Sequence, residues 1–165
     1  MAEEIIVLMA DLDDKSQELL SSCYDVLSQN GFNGKQTKGL PYHISIATFS
    51  IDKEKDAIKL MNKICDEISS FSIDISNIKT FESGNVLYAS PDLSQELLDL
   101  RNKITIETKE DYSWVPHITL LIDDSKTIEK SLTIVQKSFK PFKAKITKLH
   151  LCAFWPTREI LSTRL

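Results

Sequence analysis

The strongest constraint on this chain is a short pattern that occurs twice. Pro41-Tyr42-His43-Ile44-Ser45-Ile46-Ala47 and Pro116-His117-Ile118-Thr119-Leu120-Leu121-Ile122 each run from a proline into an apolar, β-branched stretch without glycine. That is the composition of a strand with proline at its entry. Side chains alternate along a strand, so each histidine shares a face with the hydroxyl two residues on. Ile44 and Ile46 in the first copy, and Ile118, Leu120 and Ile122 in the second, belong to the opposite face. A fold for this chain must therefore hold two strands, each polar on one side and anchored in core on the other.

The flanking segments repeat as well. Ile5 to Ala10 reads as a buried strand, and a helix from Asp13 or Asp14 to Asn30 carries Leu19, Leu20, Cys23, Val26 and Leu27 at helical spacing, with Asp13 as its cap and Asn30-Gly31 as its stop. A loop from Phe32 to Leu40 leads into the first histidine strand, Tyr42 to Ser50, and a helix from Lys53 to Ser69 and a strand from Phe71 to Ile75 follow. The second half opens with a strand at Val86–Ala89 and a helix that starts at Pro91-Asp92-Leu93 or nearby and ends near Glu107. A loop over Lys109–Val115 leads into the second histidine strand. A helix over Ser125–Ser138, a long strand over Phe142–Phe154 and a closing strand from Arg158 to Leu165 complete a hairpin. Strand, helix, histidine strand, helix, strand thus occurs twice with no Pro/Gly/Ser linker between. The expected fold class is α+β: a bilobal, pseudo-two-fold arrangement of antiparallel sheets with outer helices and a central cleft, built by residues 1–165 as one domain.

Composition bounds the partners. A net charge of −4 and a pI near 5.4 disfavour a surface that grips long nucleic acid, so no DNA partner is expected, while a small anion in a local groove is compatible. Cys23, Cys65 and Cys152 are odd in number and widely spaced, which fits neither a disulfide framework nor a zinc knuckle. The chain starts Met1-Ala2-Glu3-Glu4, without a basic signal head, and no apolar run spans a bilayer. A cytoplasmic monomer with no membrane partner, no metal and no cofactor is the expectation.

Two imidazoles across a groove suit a reaction that takes a proton at one end and gives one at the other, since histidine titrates near neutrality. Ser45 and Thr119 would aim hydroxyl donors at developing charge on the same centre. Phosphodiester cleavage needs that equipment and no metal. Taken singly, each histidine reads better as a strand-edge residue with ordinary hydrogen bonds. The duplication argues for catalysis.

The paired His-Ile-Ser/Thr strands in this order resemble the two-histidine (2H) phosphoesterase superfamily, and in particular its bacterial 2′-5′ RNA ligase-like and cyclic phosphodiesterase branch. The resemblance runs from Ile5 to Leu165. It implies a V-shaped cleft and a nucleotide or RNA terminus as partner, either a 2′,3′-cyclic phosphate or a 2′-5′ linkage, with ligation as the reverse direction. By position it makes His43 and His117 the acid-base pair and Ser45 and Thr119 the phosphate-binding hydroxyls. The first motif departs from that branch in carrying serine for threonine and in continuing Ile46-Ala47-Thr48-Phe49-Ser50. The second departs in lacking a basic residue after Leu121-Ile122-Asp123. The alternative is a non-catalytic nucleotide or RNA-end binding module of the same fold. A metal-dependent hydrolase lacks a clustered ligand set in the sequence.

Tyr42, Trp155 and Arg158 are further candidates for stacking on a base and contacting phosphate, against the plainer reading of turn aromatics that pack. Lys35 and Lys38 read as groove charge or as solvated lysines. The Glu107–Asp111 run reads as solvent-facing, Trp114 as a lid or core residue by the second motif, and His150 as structural.

Overall fold

The computed structural model describes residues 3–110 and 112–165; Met1 and Ala2 of the acidic start, and Asp111 of the charge run, lie outside the described residues. The elements are β1 (Ile5–Leu12), α1 (Asp14–Gln29), β2 (His43–Ser50), α2 (Glu54–Glu67), β3 (Phe71–Thr80), β4 (Val86–Pro91), α3 (Gln95–Asn102), β5 (Ile118–Ile122), α4 (Ser125–Gln136), β6 (Phe142–Phe154) and β7 (Arg158–Arg164). The fold is α+β, with four helices and an open antiparallel sheet.

Strand order explains the two-fold character. The sheet runs β2-β1-β6-β3-β4-β5, with β7 added to β6. Exchanging β1 with β4, β2 with β5 and β3 with β6 returns the same order reversed, so the pseudo-two-fold passes between β3 and β6. Each half gives its last strand to the other: β1 lies between its own β2 and the other half's β6, and β4 lies between β5 and β3. The two sheets expected from the sequence are therefore joined. Thirteen-residue β6 pairs with β3 over Phe142–Ile146 and with β1 over Ile146–Phe154, bridging the halves.

The two histidine strands share an irregularity that alternation does not foretell. Leu8 pairs with Ala47 but Met9 with Ser45, so Ile46 is an extra residue in β2. Leu87 pairs with Leu121 but Tyr88 with Thr119, so Leu120 is extra in β5. Each bulge turns two consecutive side chains, Ile46-Ala47 and Leu120-Leu121, into the core, as bulges beside functional sites commonly do. Ile122 consequently faces the cleft, not the core with Ile118.

Several boundaries differ from expectation. α3 starts after Ser94, whose hydroxyl accepts from Leu97 N, and ends at Asn102, not Glu107. The following stretch, Ile104-Thr105-Ile106, is β-branched, and Ile104 and Ile106 pack on the core as the chain crosses to β2. β3 extends to Thr80 because it gains β4 as a partner. Asp13 stands at the N-cap of α1, but its carboxylate accepts from Ser16 and from Lys145 N, which ties the helix start to β6 instead of capping its first amides.

β2 and β5 are the edges of the sheet, and each is sealed by the loop that precedes the other. Lys35 N donates to Ile122 O at 2.7 Å, and Ile122 N donates to Gln36 Oε1 at 3.1 Å. Lys109 N donates to Thr48 O at 2.7 Å, and Thr48 N donates to Glu110 Oε1 at 2.9 Å. One constant sequence interval relates Lys35 to Lys109, Gln36 to Glu110, His43 to His117 and Thr48 to Ile122. Unpaired edge groups thus become the bonds between the halves. Glu110, expected to face solvent, is 6% exposed and pairs with Arg101 at 2.7 Å, while Arg101 Nη1 also donates to Ile46 O. The sequence near it reads as a charge run, but this member is desolvated by the crossing loop.

Arg101→Ala leaves the Glu110 carboxylate buried without its cation and should lower unfolding stability by about 3 kcal/mol. Urea denaturation measures it; a loss below about 1 kcal/mol, the range of exposed ion pairs, would mean that the seal is not held there.

Candidate active site

His43 is the first residue of β2, and His117 immediately precedes β5. The local geometry of the two is the same. Nδ1 of His43 lies 2.8 Å from Pro41 O, and Nδ1 of His117 lies 2.8 Å from Val115 O, each the carbonyl two residues earlier. A carbonyl only accepts, so Nδ1 carries the hydrogen and Nε2 is left to exchange a proton. The adjoining prolines restrict the chain where it turns back on itself to make this bond.

A cleft of about 370 Å³ opens beside these strands. His43 and Ser45 enter it from β2, and Thr119 and Ile122 from β5. Its floor is the cleft face of the central strands, with Ile5, Val7 and Met9 of β1 and Phe154 of β6. His117 is not among the lining residues; two residues before Thr119, it is held edge-on by Phe81 at 4.8 Å and Tyr88 at 5.6 Å between ring centroids. It is close enough to His43 for its charge to disfavour a proton there.

Burial pushes both histidines below the ordinary imidazole range. For His43 desolvation is the largest cause; the bond to Pro41 and the charge of Asp11 oppose it, while His150 and His117 add to it. For His117 desolvation is opposed by the bond to Val115. Two neutral rings with free Nε2 atoms can accept protons, and an anionic phosphate brought between them favours their charged forms.

The remaining candidates divide. Tyr42 lines the cleft; burial foremost, then Cys23, Tyr24 and Asp25, pushes its hydroxyl up to about 12, so it is a donor. Its backbone is clasped by Gln17, whose Nε2 donates to Tyr42 O and whose Oε1 accepts from Tyr42 N. Trp155 lines the cleft at 56% exposure, with Nε1 donating to Thr37 Oγ1 at 3.2 Å. Arg158 does not line it: its guanidinium is taken by Glu3 and Glu54 and held firmly protonated there. Lys38 lines the cleft, with Nζ on Asn33 O and Tyr24 Oη. Trp114, expected by the second motif, donates from Nε1 to Ser45 O of the first and stacks under Arg101. Gln36 and Glu110 were hidden as functional supports, yet setting the two halves in register on their histidines brings Lys35-Gln36 over Lys109-Glu110. Among the described residues no group of three or more His, Cys, Asp or Glu is placed to hold a metal ion, and no helix is long and apolar enough to cross a membrane.

Side-chain ¹⁵N NMR should find the Nδ1–H tautomer for His43 and His117 above neutral pH, and titration midpoints below about 6.5 for both. An Nε2–H tautomer in either ring, or a midpoint above that value, would contradict the clamped, buried geometry.

Comparison with known proteins agrees with this architecture. The family model for the 2′-5′ RNA ligase superfamily matches residues 16–154. LigT of Escherichia coli in complex with 3′-AMP superposes with a TM-score of 0.66 at 16% identity, over 99% of each chain. The unliganded form of LigT gives 0.63 at 18% identity, again over 99% of each chain. Usb1 of Kluyveromyces marxianus gives 0.52 at 15% identity and the same coverage. At these identities the structures show a shared fold, and no curated protein matches the sequence. The match to the family model over most of the chain, on a sheet whose two halves each carry a clamped histidine and a hydroxyl, places this protein in the 2′-5′ RNA ligase superfamily.

Proposed function

We propose that this protein is a phosphodiesterase that opens 2′,3′-cyclic phosphates or cleaves 2′-5′ phosphodiester linkages of nucleotides or short RNA ends. The observation that carries this is the repeated clamp: two histidines, each with Nδ1 bonded to the carbonyl two residues earlier and a hydroxyl two residues later, with His43, Ser45 and Thr119 all lining one cleft. Nε2 of one ring takes the proton of the attacking water, which forms the new bond to phosphorus. Nε2 of the other gives its proton to the ribose oxygen whose bond to phosphorus breaks. Solvent exchange restores the two rings. In the ligation direction a ribose hydroxyl takes the place of water. Ser45 and Thr119 donate to the non-bridging oxygens as charge builds there.

The cleft favours a short substrate. Its floor is aliphatic and aromatic, and Lys38 is the cation that lines it, which suits one phosphate with one or two nucleosides better than a long polyanion. Trp155 and Tyr42 offer ring faces to a base. LigT, crystallised with 3′-AMP, shows that this fold admits a nucleotide.

Purified protein should hydrolyse a 2′,3′-cyclic nucleotide or a 2′-5′ dinucleotide, and equally well in a strong chelator. His43→Ala and His117→Ala should each lower kcat by about 10³-fold, within the range for a positioned acid or base. The double variant should be little worse, because the pair works as a unit. Near-wild-type turnover in either single variant would defeat the assignment. Tight binding of a nucleoside 2′-phosphate without turnover of any cyclic phosphate or 2′-5′ linkage would favour a binding module instead.

A further inference from the structure

The pseudo-symmetry of the cleft is broken by one charge. Asp11 ends the cleft face of β1 directly opposite His43 in the antiparallel register. Side chains directly opposed in this way share a face, roughly 5 Å apart at Cβ. The residue is 3% exposed, and neither carboxylate oxygen has a hydrogen-bond donor among the described residues. It lies close to His150 of β6, with Nδ1 3.3 Å from Oδ2 and without hydrogen-bond geometry; His150 is itself 6% exposed. A buried carboxylate without hydrogen bonds is costly and is rarely retained for packing alone.

The fold does not require a carboxylate there. Ala10 pairs with Ile44 as Ala89 pairs with Ile118, so the place equivalent to Asp11 in the other half belongs to Ser90. That half builds the same clamp on His117 with aromatic walls and a serine where the first half has an anion. The groups around His43 can be named from every side. β1 brings Asp11, and β6 brings His150, Cys152 and, opposite Asp11, Lys148. β7 brings Glu159, 3.3 Å from His150 Nε2, and Arg164 opposite Lys148. The entry to β5 brings His117, and the rim brings Lys38, Tyr42 and Tyr24. Asp11 is the anion that His43 meets directly across the strand pair.

We propose that Asp11 is a positioning residue for His43: its buried carboxylate, steadied by His150, is the counter-charge that lets this ring take up a proton within the cleft. The inference rests on the reading of His43 as an acid-base group, and it assigns His150, expected to be structural, to the same device. The proton concerned sits on Nε2, since Nδ1 is committed to Pro41. Among the described residues His117 has no such carboxylate opposite it, and it depends on the substrate's own charge.

The test is a histidine side-chain NMR titration of the wild-type protein and of Asp11→Asn, which keeps the shape and removes the charge. The midpoint of His43 should fall by about one pH unit while that of His117 moves by a few tenths at most. The limb of the kcat/KM profile that follows His43 should move to lower pH with it. If Asp11→Asn fails to fold, Asp11→Ser, which places here the residue of the equivalent position in the other half, supplies a second variant in which the His43 midpoint should fall likewise. Equal movement of both histidines, or an unmoved His43, in either variant that folds would overturn the proposal. Both titrations need no turnover, so a protein without phosphodiesterase activity would refute the functional reading and leave this coupling separately measurable.

Discussion

Thr48 and Ile122 are where the two halves of the molecule hold each other. Each is an edge-strand residue whose N–H and C=O would otherwise face solvent, and each has both groups bonded by a Lys-Gln or Lys-Glu pair from the opposite half. The strand exchange through β6 and β3 joins the halves at their centre, but these crossed bonds set how far apart the edges stand. The cleft, and with it the distance between the histidine strands, depends on them. Arg101 and Trp114 extend the seal along β2 to Ile46 and Ser45, so the backbone of the first motif is braced from outside while its side chains face inward.

Duplicated local geometry on a symmetric sheet produces two nearly equal acid-base groups, and equal groups are a poor arrangement for a reaction with distinct attacking and leaving ends. The surroundings make them unequal. His117 is packed against a pair of aromatic rings, and His43 lies across the strand pair from a buried anion. The difference comes from residues outside the motifs, on strands that only serve as neighbours.

This division also accounts for what could be read from the chain alone. The two motifs were legible because proline, β-branched residues and alternation are local signals, and because a pattern met twice constrains a fold more than one met once. The bulges at Ile46 and Leu120 were not, since an extra strand residue appears only against its partner's register; Ile122 was therefore assigned to the wrong face. The crossing loop defeated local reasoning in the same way. Helical spacing carried α3 on to Glu107, and a run of charges made Glu110 look solvated, whereas the pull of a distant edge strand decides both. Arg158 illustrates the opposite error: a cation near the cleft in sequence terms, but engaged by Glu3 and Glu54 in space. Asp11 carried no motif at all, and only the pairing of β1 with β2 brings it to His43.

One phosphorus centre served from both histidine strands is tested most directly by a crystal structure with a nucleoside 2′,3′-cyclic vanadate. The trigonal-bipyramidal vanadium should sit in the cleft with one apical oxygen within hydrogen-bond reach of each Nε2, about 2.6–3.2 Å, and with the Ser45 and Thr119 hydroxyls on equatorial oxygens. A vanadate reached by a single histidine, or bound away from these four side chains, would contradict it.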